Sequence, residues 1–123
     1  MDNLDVLIVD DETRIVRPLS FLLKRNGYTV DTAYNGDEAL EKLNEQRPKL
    51  ILLDIMIPGK DGYEICSFVK SNEKLKDIHV VMISCKGQKV DKQHAFERGA
   101  DGYIEKPYSP DDILKIVHQI CRC

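Results

Sequence analysis

Short apolar runs alternate with stretches of helical periodicity along the whole chain, and this alternation restricts the fold more than any other feature. The runs cover residues 6–9, 28–33, 50–53, 79–83 and 102–104. Three of them are apolar throughout, which is what strands covered by helices on both faces require. Between and after them, the spacing predicts helices over 13–26, 36–46, 62–71, 89–98 and 110–120. In the first, Ile15, Leu19, Leu22 and Leu23 share a face and Gly27 is a plausible stop. Pro18 removes a backbone donor there, so a late start or a local kink is expected. In the last, Ser109 is placed to cap and Pro110 occupies the first turn.

Five strands alternating with five helices, joined by short loops and right-handed crossovers, predict an α/β fold. It is a doubly wound, five-stranded parallel sheet in the order 2-1-3-4-5, of the flavodoxin-like (βα)5 kind. A length of 123 residues suits one domain, spanning 1–123. In such sheets ligands bind beyond the carboxyl ends of the strands, near the point where the winding direction reverses.

The residues following each apolar run therefore matter most. Asp10 and Asp11 follow the first, Asp54 the third and Ser84 the fourth, and Lys106 stands just past the fifth. Three carboxylates brought together would repel and raise one another's pKa unless a cation sits among them. Hard oxygen donors without a His or Cys cluster fit Mg²⁺, with Mn²⁺ as a substitute. An ammonium from Lys106 and a hydroxyl from Ser84 complete what phosphoryl transfer needs around a nucleophile. Asp54, after the central strand, is the choice for that nucleophile, which would become an acyl phosphate. Asp10 and Asp11 are the metal holders.

Four segments at these positions carry a resemblance. They are Val9-Asp10-Asp11-Glu12, Leu52-Leu53-Asp54-Ile55-Met56-Ile57-Pro58-Gly59, Asp61-Gly62-Tyr63-Glu64, and the stretch from Ala100-Asp101-Gly102 through Lys106-Pro107-Tyr108. Together they resemble the receiver domains of response regulators in two-component systems, over essentially the whole chain. The resemblance implies that Asp54 is the phosphoacceptor and that Asp11, Asp54 and the Met56 backbone carbonyl bind Mg²⁺, with Asp10 acting through water. Ser84 and Lys106 would grip the phosphoryl oxygens, and the Lys106–Pro107 bond would be cis. Ser84 and Tyr103 would form the switch pair that alters the face made by the fourth helix, fifth strand and fifth helix. Phosphate would come from a sensor histidine kinase, a phosphotransfer protein or a small phosphodonor, and would be lost by slow self-catalysed hydrolysis. A homodimer through the switching face rests on the resemblance alone.

Other function classes fit less well. An aspartate-nucleophile phosphatase would place its nucleophile after the first strand in an Asp-x-Asp arrangement, whereas here the acids are adjacent. A nucleotide or flavin binder would need a Gly-rich turn where this chain has Asp-Asp-Glu-Thr-Arg. A receiver that signals by binding alone is disfavoured by the presence of all five site residues. The net charge of −3 and the lack of a long basic block argue against direct nucleic-acid binding. No apolar run is long enough to span a bilayer and no export signal is indicated, so a cytoplasmic location is expected. Cys66, Cys85, Cys121 and Cys123 form no CxxC pair and read as reduced thiols. A zinc site from His118, Cys121 and Cys123 lacks a second ligand pair at standard spacing. His79, His94 and His118 read as isolated surface or strand residues. Met56 and Lys86 stand where the family tunes phosphate loss, and Cys85 replaces the more usual Ala after Ser84.

Overall fold

The computed structural model describes residues 2–59, 61–85 and 92–122. In chain order the elements are β1 (Asp2–Val9), α1 (Thr13–Arg25), β2 (Val30–Ala33), α2 (Gly36–Glu45), β3 (Gln46–Asp54), α3 (Gly62–Ser71), β4 (His79–Cys85), α4 (Lys92–Glu97), β5 (Gly102–Lys106) and α5 (Pro110–Cys121). All four strand pairings are parallel, in the order β2-β1-β3-β4-β5. The winding reverses between β1 and β3.

Side chains alternate across a strand with a period of two, and this sheet separates them cleanly. Leu7, Val9, Ile51, Leu53, Val80 and Met82 pack on one face with Ala39 and Leu43 of α2, Ile65 and Val69 of α3 and Ala95 of α4. Val6, Ile8, Leu50, Leu52, Val81 and Ile83 pack on the other with Val16, Leu19 and Leu23 of α1 and Ile113 and Val117 of α5. Because both faces are covered, the three central strands have no solvent side, and their continuous apolar runs follow from that.

Several expected boundaries move. β1 starts at Asp2 and β3 at Gln46, because residues 2–4 pair with 46–48. Pro48 is tolerated in this central strand because β4 joins β3 only from Leu50 onward, so its segment is locally an edge. α1 begins at Thr13 and carries Pro18 inside it, so the helix does not start late. Its buried face is Val16, Leu19 and Leu23, with Ile15 and Leu22 at its margins. The strand at 28–33 shortens to Val30–Ala33. Lys106 is the last residue of β5 rather than a loop residue beyond it. The predicted start of the fourth helix at Lys89, the Cys85 thiol, Lys86 and Cys123 lie outside the described residues. Ser109 caps α5 through its hydroxyl, which accepts from the Asp111 amide at 3.2 Å. Among the described residues no helix is long and apolar enough to cross a membrane.

The loop after β3 is clamped by α3. The Gly62 amide donates to the Ile55 carbonyl at 3.0 Å, and Asp61 caps α3 by accepting from the Glu64 amide at 2.9 Å. A Cβ at Gly62 would lie 2.7 Å from the Ile55 Cα and 2.8 Å from the Asp54 carbonyl oxygen. Backbone cannot yield as a flexible side chain would, so Gly62→Ala should destabilise the fold by about 1–3 kcal/mol. Urea denaturation monitored by circular dichroism would measure it, and an unchanged midpoint would show that this contact does not hold the loop.

Candidate functional site

Among the described residues, four buried side chains at the carboxyl end of the sheet are polar: Asp10, Asp54, Ser84 and Lys106. Each stands at or just past the end of a strand. β1 delivers Asp10, whose amide still bonds the Ala33 carbonyl of β2 at 3.0 Å. β3 ends on Asp54, paired in register with Ile83, so Ser84 is one residue further along β4. β5 ends on Lys106, and the Lys106–Pro107 peptide that follows is cis.

Lys106 is the centre of the cluster. Its ammonium donates to Asp54 Oδ2 at 2.9 Å and to Glu12 Oε1 at 3.0 Å, and forms an ion pair with Asp10 Oδ2 at 2.9 Å. Three carboxylates thus surround one ammonium within 3.0 Å. The side chains of Lys106, Asp10 and Asp54 are 8%, 2% and 4% exposed, whereas that of Glu12 is 44% exposed, so Glu12 forms the solvent side of the group. The remaining oxygens are also engaged. Asp54 Oδ1 accepts from the Met56 amide at 2.9 Å, and Asp10 Oδ1 accepts from the Glu12 amide at 2.9 Å.

Burial dominates the Asp54 carboxyl and pushes its pKa up, against the lowering effect of its bonds to Lys106 and to the Met56 amide. For Lys106, burial works against the charge, but the bonds to Asp10, Asp54 and Glu12 outweigh it and hold the ammonium above the ordinary lysine range. Burial, and then the nearness of Asp10, pushes the Tyr108 phenol up to about 12.

Carboxylate oxygens of Asp10, Glu12 and Asp54 lie within 4.8 Å of one another, close enough to share one cation. This donor set is all oxygen, which suits a hard divalent ion. Asp11 is exposed on the same loop and stands outside that trio. Glu12 joins Asp10 and Asp54 in it, and the sequence reading gave Glu12 no role. The Met56 side chain is 60% exposed.

Ser84 is turned to a different partner. Its hydroxyl lies 2.6 Å from the Tyr103 hydroxyl, joining β4 to β5. Two histidines read as isolated have ring partners: the Tyr28 hydroxyl bonds His118 Nδ1, and the His94 ring stands edge-on to Tyr63 with centroids 4.3 Å apart. Cys66 is a buried free thiol whose pKa burial pushes up to about 11, and Cys121 is a free, half-buried one.

The model of the response regulator receiver domain matches residues 6–118. The transcriptional regulatory protein ResD of Bacillus subtilis (strain 168) is 42% identical over 117 residues, which are 95% of this chain and 48% of ResD. The chain thus spans about half the length of that curated relative. Among solved structures, the Mn²⁺-bound form of response regulator Rcp1 is 29% identical with a TM-score of 0.78, over 95% of this chain and 91% of that one. A response regulator protein from Burkholderia pseudomallei, with a phosphorylated aspartic acid, calcium ion and citrate, is 25% identical with a TM-score of 0.81, over 95% of this chain and 66% of that one.

The ion cluster makes its own prediction. Lys106→Met would leave Asp10 and Asp54 buried without a countercharge and should cost about 3–5 kcal/mol in metal-free buffer at pH 7. A carboxyl whose folded pKa is raised binds more protons folded than unfolded, so acidification favours the folded state. The deficit of the variant should therefore shrink as the pH falls from 7 toward 5. Urea titrations in EDTA across that range would check it, and a deficit independent of pH would rule out the carboxylates as its source.

Proposed function

The chain belongs to the response regulator receiver domain family, and on that premise we propose that it is a cytoplasmic phosphorelay switch whose phosphoacceptor is Asp54. The observation that carries this reading is the direct bond from the Lys106 ammonium to Asp54, in a pocket that also holds Asp10. A carboxylate so placed has its nucleophilic oxygens fixed and a cation beside them, which is how phosphoryl transfer is assisted by positioning and charge.

The metal in this reading is Mg²⁺, with Mn²⁺ able to replace it. Asp54, Asp11 and the Met56 carbonyl would hold it, Asp10 would act through water, and Glu12 adds a further carboxylate at the mouth. The Mn²⁺ in Rcp1, and the calcium ion and phosphorylated aspartic acid in the Burkholderia protein, support the choice of a divalent ion. When bound, such an ion neutralises charge on the transferring phosphoryl oxygens.

The chain's own residues then do the following. A carboxylate oxygen of Asp54 forms a bond to phosphorus as the bond from phosphorus to the donor breaks, and the donor keeps the electron pair. That donor is a histidine kinase, a phosphotransfer protein or a small acyl phosphate. Lys106 donates to the new phosphoryl oxygens. Ser84 donates its hydroxyl proton to one of them while accepting from the Tyr103 hydroxyl, which ties the modified aspartate to β5. The result is a population shift on the face formed by α4, β5 and α5, the surface we assign to the effector or to a second copy of the chain. Hydrolysis follows slowly: water attacks phosphorus, the aspartyl–phosphate bond breaks, and the carboxylate returns.

Incubation with acetyl phosphate and Mg²⁺ should add one phosphoryl mass, about 80 Da, to the intact chain. Asp54→Asn should remain unmodified, as should the wild type in EDTA, and Mn²⁺ should restore the reaction. Equal modification of the variant would overturn the assignment of Asp54. Tyr103→Phe should still accept phosphate at close to the wild-type rate but lose most of the phosphorylation-induced amide shifts in α4 and β5 by NMR. Full-sized shifts in that variant would remove Tyr103 from the switch.

A further inference from the structure

The three bonds of Lys106 are not equivalent, and the difference assigns a role to Glu12. If Lys106 is to donate to a phosphoryl group on Asp54, it must loosen its hold on a carboxylate, because three of them already crowd its ammonium within 3.0 Å and it donates to two. Asp10 and Asp54 are almost sealed from water, and stripping either of its partner leaves a buried charge unpaired. The Glu12 side chain is 44% exposed and its carboxylate is rehydrated on release, so this bond is the cheapest to break.

We propose that Glu12 is the exchangeable partner of Lys106. It holds the ammonium at the mouth of the pocket in the unmodified protein and is displaced from it by the incoming phosphoryl oxygens. Glu12 is thus a positioning residue that sets how readily the lysine becomes available. The inference rests on the phosphoacceptor reading of Asp54 and adds to it a competition between one protein carboxylate and the phosphoryl group for a single cation.

Two variants and two measurements separate this from alternatives. Glu12→Gln removes the charge and the ion pair, whereas Glu12→Asp keeps the charge but withdraws it by one methylene from Lys106. Phosphorylation by acetyl phosphate at saturating Mg²⁺ should speed up roughly two- to fivefold in both, the rate equivalent of losing one half-exposed ion pair. In the metal-free protein, acylation of Lys106 by an N-hydroxysuccinimide ester, read by peptide mass spectrometry, should rise by a similar factor in both. If only Glu12→Gln is faster, general repulsion of the anionic donor explains the rate and the exchange is wrong. If the wild type is phosphorylated on Asp54 but neither variant differs in rate or in lysine reactivity, Glu12 has no such role. A wild type that takes up no phosphate at Asp54 would instead sink the reading on which the inference stands.

Discussion

The contact on which the rest of this structure depends is the Lys106 ammonium shared among Asp10, Asp54 and Glu12. Carboxylates gathered at one end of a sheet, two of them nearly out of water, would not stay together as charges without a cation between them. Lys106 supplies that cation from within the chain, and its raised pKa is the reciprocal of the same interaction. The pocket is thus held together by a charge from within the chain. On the phosphoacceptor reading, an ion or a phosphoryl group must compete with this lysine or recruit it.

The fold explains why this cluster can exist only where it does. With helices on both faces, the bodies of β1, β3 and β4 are buried and apolar, so polar side chains are confined to the strand ends. The winding reverses between β1 and β3, which leaves the carboxyl ends of those two strands open side by side. Asp10 and Asp54 occupy those two ends. The close seat of Gly62 on the backbone of Asp54 and Ile55 then fixes the loop that brings the Met56 amide to Asp54.

Much of this was legible in the residues, and the omissions have definite causes. The apolar runs located all five strands and their order, because burial on two faces leaves a pattern that no other arrangement explains as well. Residues 46–49 did not read as strand, since Gln46, Arg47, Pro48 and Lys49 carry no apolar signal and are placed by pairing with the start of β1. Glu12 carried no role in the sequence because nothing local marks it, whereas the fold brings its carboxylate within 4.8 Å of those of Asp10 and Asp54. The partner of His118 is Tyr28, 90 residues away, and no local pattern announces it.

Direction also separates the two halves of the site. Val6, Ile8, Leu50, Leu52 and Ile104 belong to the face covered by α1 and α5, and Asp10, Asp54 and Lys106 continue their alternation. Val80, Met82 and Tyr103 belong to the opposite face, and Ser84 continues theirs. The ionic cluster and the pair of hydroxyls therefore stand on opposite sides of the sheet. On the phosphoacceptor reading, a charge change at Asp54 reaches Tyr103 most directly around the sheet's carboxyl end. Ser84 stands at that end, one residue beyond the register partner of Asp54 and already bonded to Tyr103. On that reading, its small hydroxyl can face a phosphoryl oxygen on one side and the tyrosine on the other, and the aromatic's response would follow from where β4 ends.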